Sequence, residues 1–204
     1  MFKSLGVIAL LIALAASGPT SAAPVLTIQP VAASSVGVGG SASFELLLVN
    51  PDAVIGAFSV DIGFNPSVLQ LLPTAALGAG LGDTNLFEAI GTAGESSSGI
   101  LHIDEVSLLD IASLESLQGG GVLLPSLLLA TFSFEGLAPG LGALDFLAGS
   151  VQFSDAAGTA LAIPTLQAPG AVQVIPEPSS TALVLLALAV GGAGMRPSAR
   201  REPA

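Results

Sequence analysis

The chain has 204 residues, a net charge of −11, and no cysteine, tryptophan or tyrosine. The absence of cysteine excludes a disulfide framework and thiolate chemistry in any compartment. Lys3, Arg196, Arg200 and Arg201 are the only Lys or Arg residues, whereas Pro24 to Ile175 carries thirteen carboxylates. That balance is expected to leave no internal salt bridge. It also makes nucleic acid and anionic lipid poor partners, while divalent cations, basic protein patches and neutral glycans remain open.

Residues 1–22 read as a signal peptide for export and cleavage by signal peptidase. Lys3 supplies the positive start, Leu5 to Ala16 the apolar centre, Gly18-Pro19 the break, and Thr20 and Ala22 the small residues before the cut. About 150 residues then remain before the tail, enough for one domain with a real core.

From Pro24 the pattern changes to short segments bounded by Gly, Pro, Asn and Asp. Residues 25–29 are predicted as a first strand and 33–40 as a turn. Residues 42–50 form a second strand with Phe44, Leu46 and Leu48 on one face. Residues 55–64 alternate most clearly, with Gly56, Phe58, Val60, Ile62 and Phe64 facing one way and Ala57, Ser59 and Asp61 the other. Period two with this contrast means one buried and one solvated face. Residues 68–72 continue as strand. Residues 74–99, rich in Ala, Gly and Ser, read as a long connection whose bulky groups are Leu77, Leu81, Leu86, Phe87 and Ile90. The Gly-rich run at 78–82 lacks the Lys and the strand–helix setting of a phosphate loop.

Residues 100–109 are predicted as a strand and 110–118 as a loop or single helical turn. In 127–135, Leu128, Ala130, Phe132 and Phe134 are expected to face inward. Strands at 143–147, 150–154 and 171–174 complete an all-β antiparallel sandwich of jelly-roll type.

Two stretches carry a family resemblance. Ile55-Gly56-Ala57-Phe58-Ser59-Val60-Asp61-Ile62-Gly63-Phe64-Asn65-Pro66-Ser67-Val68-Leu69 resembles the strand–turn–strand signature of cohesin-type modules, with Asn65 where Asp is more usual. Leu129 to Gly140 is similar to that family's later strand and Pro-Gly turn. The resemblance implies a cohesin-like domain over residues 24–174 and a dockerin-like partner. It carries over no individual binding residue. A second implied reading is a calcium- or carbohydrate-binding module.

Catalytic candidates are sparse. His102 and Asp104 share a strand face, with Glu105 on the other, but no serine sits in a nucleophile elbow and a lone His makes no ordinary zinc site. Asp61, Asp104, Glu105, Glu135 and Asp145 are the carboxylates available for glycoside chemistry, without the Trp or Tyr platforms of a sugar cleft. Oxygen-only Ca2+ coordination suits the composition better, with Asn50, Asp52, Asp83 and Asp155 in turns, yet no Asp-x-Asp-x-Asp loop is present. The expectation is no enzyme, no catalytic residue and no cofactor.

The tail has three parts: Pro176-Glu177-Pro178, an apolar run predicted as a transmembrane helix over 181–195, and Arg196, Arg200 and Arg201. The prolines keep the motif extended and unable to join a helix or sheet. This order, over residues 175–201, resembles the PEP-CTERM sorting signal of Gram-negative bacteria. The resemblance implies recognition by exosortase, a membrane-embedded cysteine transpeptidase or protease. It also implies delivery to the cell surface or extracellular matrix, and a structural or adhesive place in exopolysaccharide or biofilm. The eighteen uncharged residues between Glu177 and Arg196 would span ~27 Å if wholly helical, against a hydrocarbon core of about 30 Å. That length suits a temporary hold at the inner membrane, with the arginines on the cytoplasmic side.

Overall fold

The computed structural model describes residues 22–31, 34–167 and 170–176. The expected signal peptide (all but Ala22), Glu177, Pro178, the 181–195 run and Arg196, Arg200 and Arg201 lie outside them. Among the described residues no helix is long and apolar enough to cross a membrane.

The chain builds two facing sheets. The first holds β1 (Val25–Pro30), β3 (Ser41–Val49), β5 (Leu69–Leu71), β6 (Ala76–Leu77), β9 (Ser126–Gly136) and β12 (Thr165–Leu166). Its order is β12-β1-β3-β9-β5, with β6 also against β9. The second holds β2 (Ser35–Gly37), β4 (Ile55–Phe64), β7 (Ala89–Ser97), β8 (Ile100–Ser107), β10 (Gly140–Phe146), β11 (Gln152–Asp155) and β13 (Ala171–Ile175). It runs β2-β13-β10-β4-β8-β7, and β11 pairs with β4. Both sheets are antiparallel except at their edges, where β12 joins β1 and β2 joins β13 in parallel.

Alternation decides which side of each strand is dry. Phe44, Leu46 and Leu48 of β3, Phe58, Val60, Ile62 and Phe64 of β4, and Phe132 and Phe134 of β9 meet between the sheets. Phe44 and Phe132 stack at 5.9 Å, and Phe64 reaches across to Phe134 at 4.9 Å. The predicted strand 55–64 is β4 residue for residue.

Three expectations are corrected. Leu128 is only half-buried, because a bulge at Leu129 turns Leu127 and Leu129 inward instead; an inserted residue reverses the alternation beyond it. Residues 74–99 are not one connection but contain β6, a 3₁₀ turn at Thr84–Leu86 and the nine-residue strand β7. An edge strand of Ala, Gly, Thr and Ser leaves little hydrophobic contrast to read. Residues 111–117 form the helix α1, capped by Asp110, whose carboxylate accepts from the Ser113 N–H at 2.7 Å. That bond holds the Asp110 carboxyl below its ordinary range.

One buried polar side chain ties α1 to the sandwich. The Gln118 amide accepts from the Ile55 N–H at 2.9 Å and donates to the Ile55 and Gly80 carbonyls at 2.7 and 3.1 Å. It closes backbone bonds that the start of β4 would otherwise lack.

Candidate functional site

The outer side of the second sheet carries a connected set of polar side chains. Register places Asp61 of β4 opposite His102 of β8, and Asp104 of β8 opposite both Ser59 of β4 and Thr92 of β7. Period two then aims all of these outward, while Leu101, Ile103 and Glu105 turn in. His102 Nδ1 lies 2.6 Å from Asp61 Oδ1, and its Nε2 lies 3.4 Å from Asp104 Oδ1. Thr92 Oγ1 donates to the same Asp104 oxygen. Behind them, Ser150 Oγ accepts from the Asp61 N–H at 3.0 Å and donates to the Leu147 carbonyl at 2.9 Å. The result is one chain, Thr92–Asp104–His102–Asp61, across three strands.

The ring between two carboxylates corrects the expectation of no internal salt bridge: Lys and Arg are absent from the body, but His102 can serve both acids. A neutral imidazole has one N–H to donate, whereas the protonated ring donates from both nitrogens. With each nitrogen facing a carboxylate, neither is directed at a serine hydroxyl, as nucleophilic catalysis would require.

Beside this chain lies a hollow of about 560 Å³ between β4, β8, β11 and the 158–163 segment. Val106, Val151, Leu161 and Ile163 supply apolar wall, and His102, Asp104 and Gln152 line the polar side. An open, partly apolar concavity edged by a few fixed polar groups has the kind of shape and lining that binding sites share.

The other predicted acids stand apart from this chain, Asp145 on the same outer face and the rest elsewhere. Asp145 is exposed on β10, in register with Gly63, and Glu135 lies on β9 of the opposite sheet. Asp83 and Asp155 spend carboxylate oxygens on their own turns, accepting from the N–H of Asn85 and from those of Ala157 and Thr159. Asn50 sits at φ 51° in the turn after β3. Among the described residues, no group of three or more His, Cys, Asp or Glu is placed to hold a metal. Of the expected motif Pro176-Glu177-Pro178, only Pro176 is described.

Glu105 is the outlier. It is 0% exposed, and neither carboxylate oxygen has a partner among the described residues. Its in-register neighbours are Phe58 and Gly91, which offer no hydrogen bond from a side chain. A Cβ on Gly91 would stand 2.8 Å from the Glu105 Cα, so the strands here approach too closely for a larger residue. Burial pushes the Glu105 carboxyl up to about 7, and the Asp104 charge adds to the rise. Alternation placed Glu105 opposite to His102, but an acidic residue gave no signal that its side was the dry one.

The chain matches no family model and no curated protein. Its fold does match solved structures. A complex of CaCohA2 with CaDoc0917 contains a chain of TM-score 0.56 at 14% identity, covering 74% of this chain and 99% of that one. CaCohA2 from Clostridium acetobutylicum in solution gives 0.55 at 15% identity, covering 76% of this chain and 92% of that one. The cohesin module of a Clostridium perfringens family 33 glycoside hydrolase gives 0.52 at 14% identity, over 74% and 98%. The cohesin-like sandwich expected from residues 55–69 and 129–140 is therefore the fold of this chain, and at these identities the likeness speaks for fold alone.

Proposed function

We propose that this chain is an exported, non-enzymatic docking module that binds a protein partner through the outer side of β7, β8, β4 and β10. The observation that carries the reading is the Thr92–Asp104–His102–Asp61 chain beside a half-apolar hollow on a solvated sheet face. Its fold is shared with a CaCohA2 chain solved in a complex with CaDoc0917, which favours a dockerin-like partner over a free sugar. The hydrogen bond of His102 Nδ1 to Asp61, with Nε2 turned toward Asp104 rather than a serine, favours a binding role over a catalytic one.

The tail supplies the route. In this reading signal peptidase removes residues 1–22. Pro176-Glu177-Pro178 is then presented to exosortase while 181–195 holds the chain in the inner membrane, and Arg196, Arg200 and Arg201 stay on the cytoplasmic side. Processing delivers the domain to the surface or to an exopolysaccharide matrix, as an adhesive component.

Two measurements on cells of the native host test the halves separately. A photo-crosslinking side chain at Gln152, on the outer face, is expected to give discrete protein adducts; one at Gln70, on the opposite sheet, is not. Equal adducts from both positions, or none from Gln152, refute face-specific docking. Intact mass of the mature protein locates both cuts, and unchanged processing after removal of 176–204 refutes the sorting route.

A further inference from the structure

Phe87 is 81% exposed, whereas Phe44, Phe58, Phe64, Phe132, Phe134 and Phe153 are buried. Its backbone is left-handed, at φ 60° and ψ 30°, a region that bulky L-residues avoid. The preceding turn is braced to hold it there. Asp83 accepts from the Asn85 N–H at 2.8 Å, the Asp83 N–H donates to the Glu88 carboxylate at 3.0 Å, and the Glu88 N–H returns to the Asp83 carbonyl at 3.0 Å. Backbone strain held in place by its surroundings, on a solvent-facing aromatic, is a signature of a functional position.

Phe87 is not alone. Leu86, Ile90, Val106 and Leu108 are exposed as well. Ile90 and Val106 are in-register neighbours on the outer face, and the Leu108 N–H bonds the Glu88 carbonyl at 2.7 Å, joining the turn to the end of β8. Five apolar side chains thus sit at one pole of the second sheet, continuous with the docking face.

Charge and topology select the occupant. Asp83, Glu88, Asp104 and Asp110 border the group, and residues 24–175 contain no Lys or Arg. A second copy of the domain would therefore bring like charge against like, and anionic lipid is repelled for the same reason. The chain also exits at the other end. β13 pairs with β10 at Gly140↔Val174, and β10 passes Phe64 at Leu144. Val174 therefore lies about eleven residues of strand from the Ala57–Val106 level, roughly 35 Å at ~3.3 Å per residue. On the reading above, a membrane holding the tail would face the far pole.

We propose that this tail-distal pole is a protein-docking patch anchored by Phe87, whose partner presents an apolar pocket rimmed by Lys or Arg. This rests on the docking reading above and adds to it the anchor and the charge of the partner. Aromatic anchors seated in desolvated pockets dominate interface energetics.

The test uses the full-length protein and two designed helical peptides with the same Leu face, one flanked by Lys and one by Glu, titrated calorimetrically. The Lys peptide is expected to bind and the Glu peptide not. Phe87→Gly is expected to weaken binding by about tenfold or more while leaving the urea midpoint no lower, since glycine accepts the left-handed backbone. Phe87→Trp retains binding, and Leu141→Ser at the tail-side pole changes nothing. Binding that survives Phe87→Gly, equal binding of the Glu peptide, or a lowered midpoint in Phe87→Gly overturns the proposal. If Asp61→Asn or His102→Ala abolishes binding while Phe87→Gly does not, the docking face stands without this anchor. If none of these variants matters, both readings fall.

Discussion

Replacing Glu105 with Gln should change how the stability of this protein depends on pH. The native carboxyl titrates at about 7 rather than its ordinary 4.5, because it is wholly buried without a partner and lies beside Asp104. The folded state therefore holds the proton more tightly than the unfolded chain. The stability contribution is complete below pH ~4.5 and is lost as pH rises to ~7, above which both states are ionised and the difference is constant. A shift of roughly 2.5 units at 1.36 kcal/mol each amounts to about 3 kcal/mol. Glutamine keeps the shape and cannot ionise. Near pH 4 the two proteins should be within about 1 kcal/mol, while near pH 8 Glu105→Gln should be the more stable by about 3 kcal/mol. Urea unfolding followed by far-UV circular dichroism suits a chain lacking Trp and Tyr. Taking the difference between the two proteins at each pH removes the shared titration of the other acids. A difference that stays constant from pH 4 to 8 would refute the assignment of Glu105 as a buried acid protonated well above its ordinary range.

Two other substitutions test what holds the sandwich together. Gln118→Ala should cost about 2–4 kcal/mol, since it strands the buried Ile55 N–H and carbonyl and loosens α1; the same urea assay reads it, and a loss under ~1 kcal/mol would remove Gln118 as the tie between α1 and β4. Phe132→Ala should cost ~3–5 kcal/mol through the void it leaves against Phe44 and Phe134, visible as a large fall in the urea midpoint.

Much of this protein was legible from the order of its residues. Alternation in 42–50 and 55–64 determines which side chains are dry, because a pleated strand sends neighbours to opposite faces whatever it pairs with. The same rule put Asp61, His102 and Asp104 on solvated faces and Glu105 across from them. The division of charge, thirteen acids within the domain and every Lys and Arg at the ends, likewise follows from composition alone. Tertiary structure decided what pairing and burial contribute. Asp61 and His102 are forty-one residues apart in sequence and meet at 2.6 Å because β4 and β8 adopt one register of several that alternation would allow. The bulge at Leu129 reverses a face that period two alone assigns wrongly. β7 is a strand because β8 offers it backbone partners, which its Ala-, Gly- and Ser-rich side chains do not advertise. Glu105 and Phe87 show the same limit from opposite directions. The acid is buried and the phenylalanine exposed, because the packing of strands and the bracing of a turn, rather than the polarity of a single residue, determine which surface meets water.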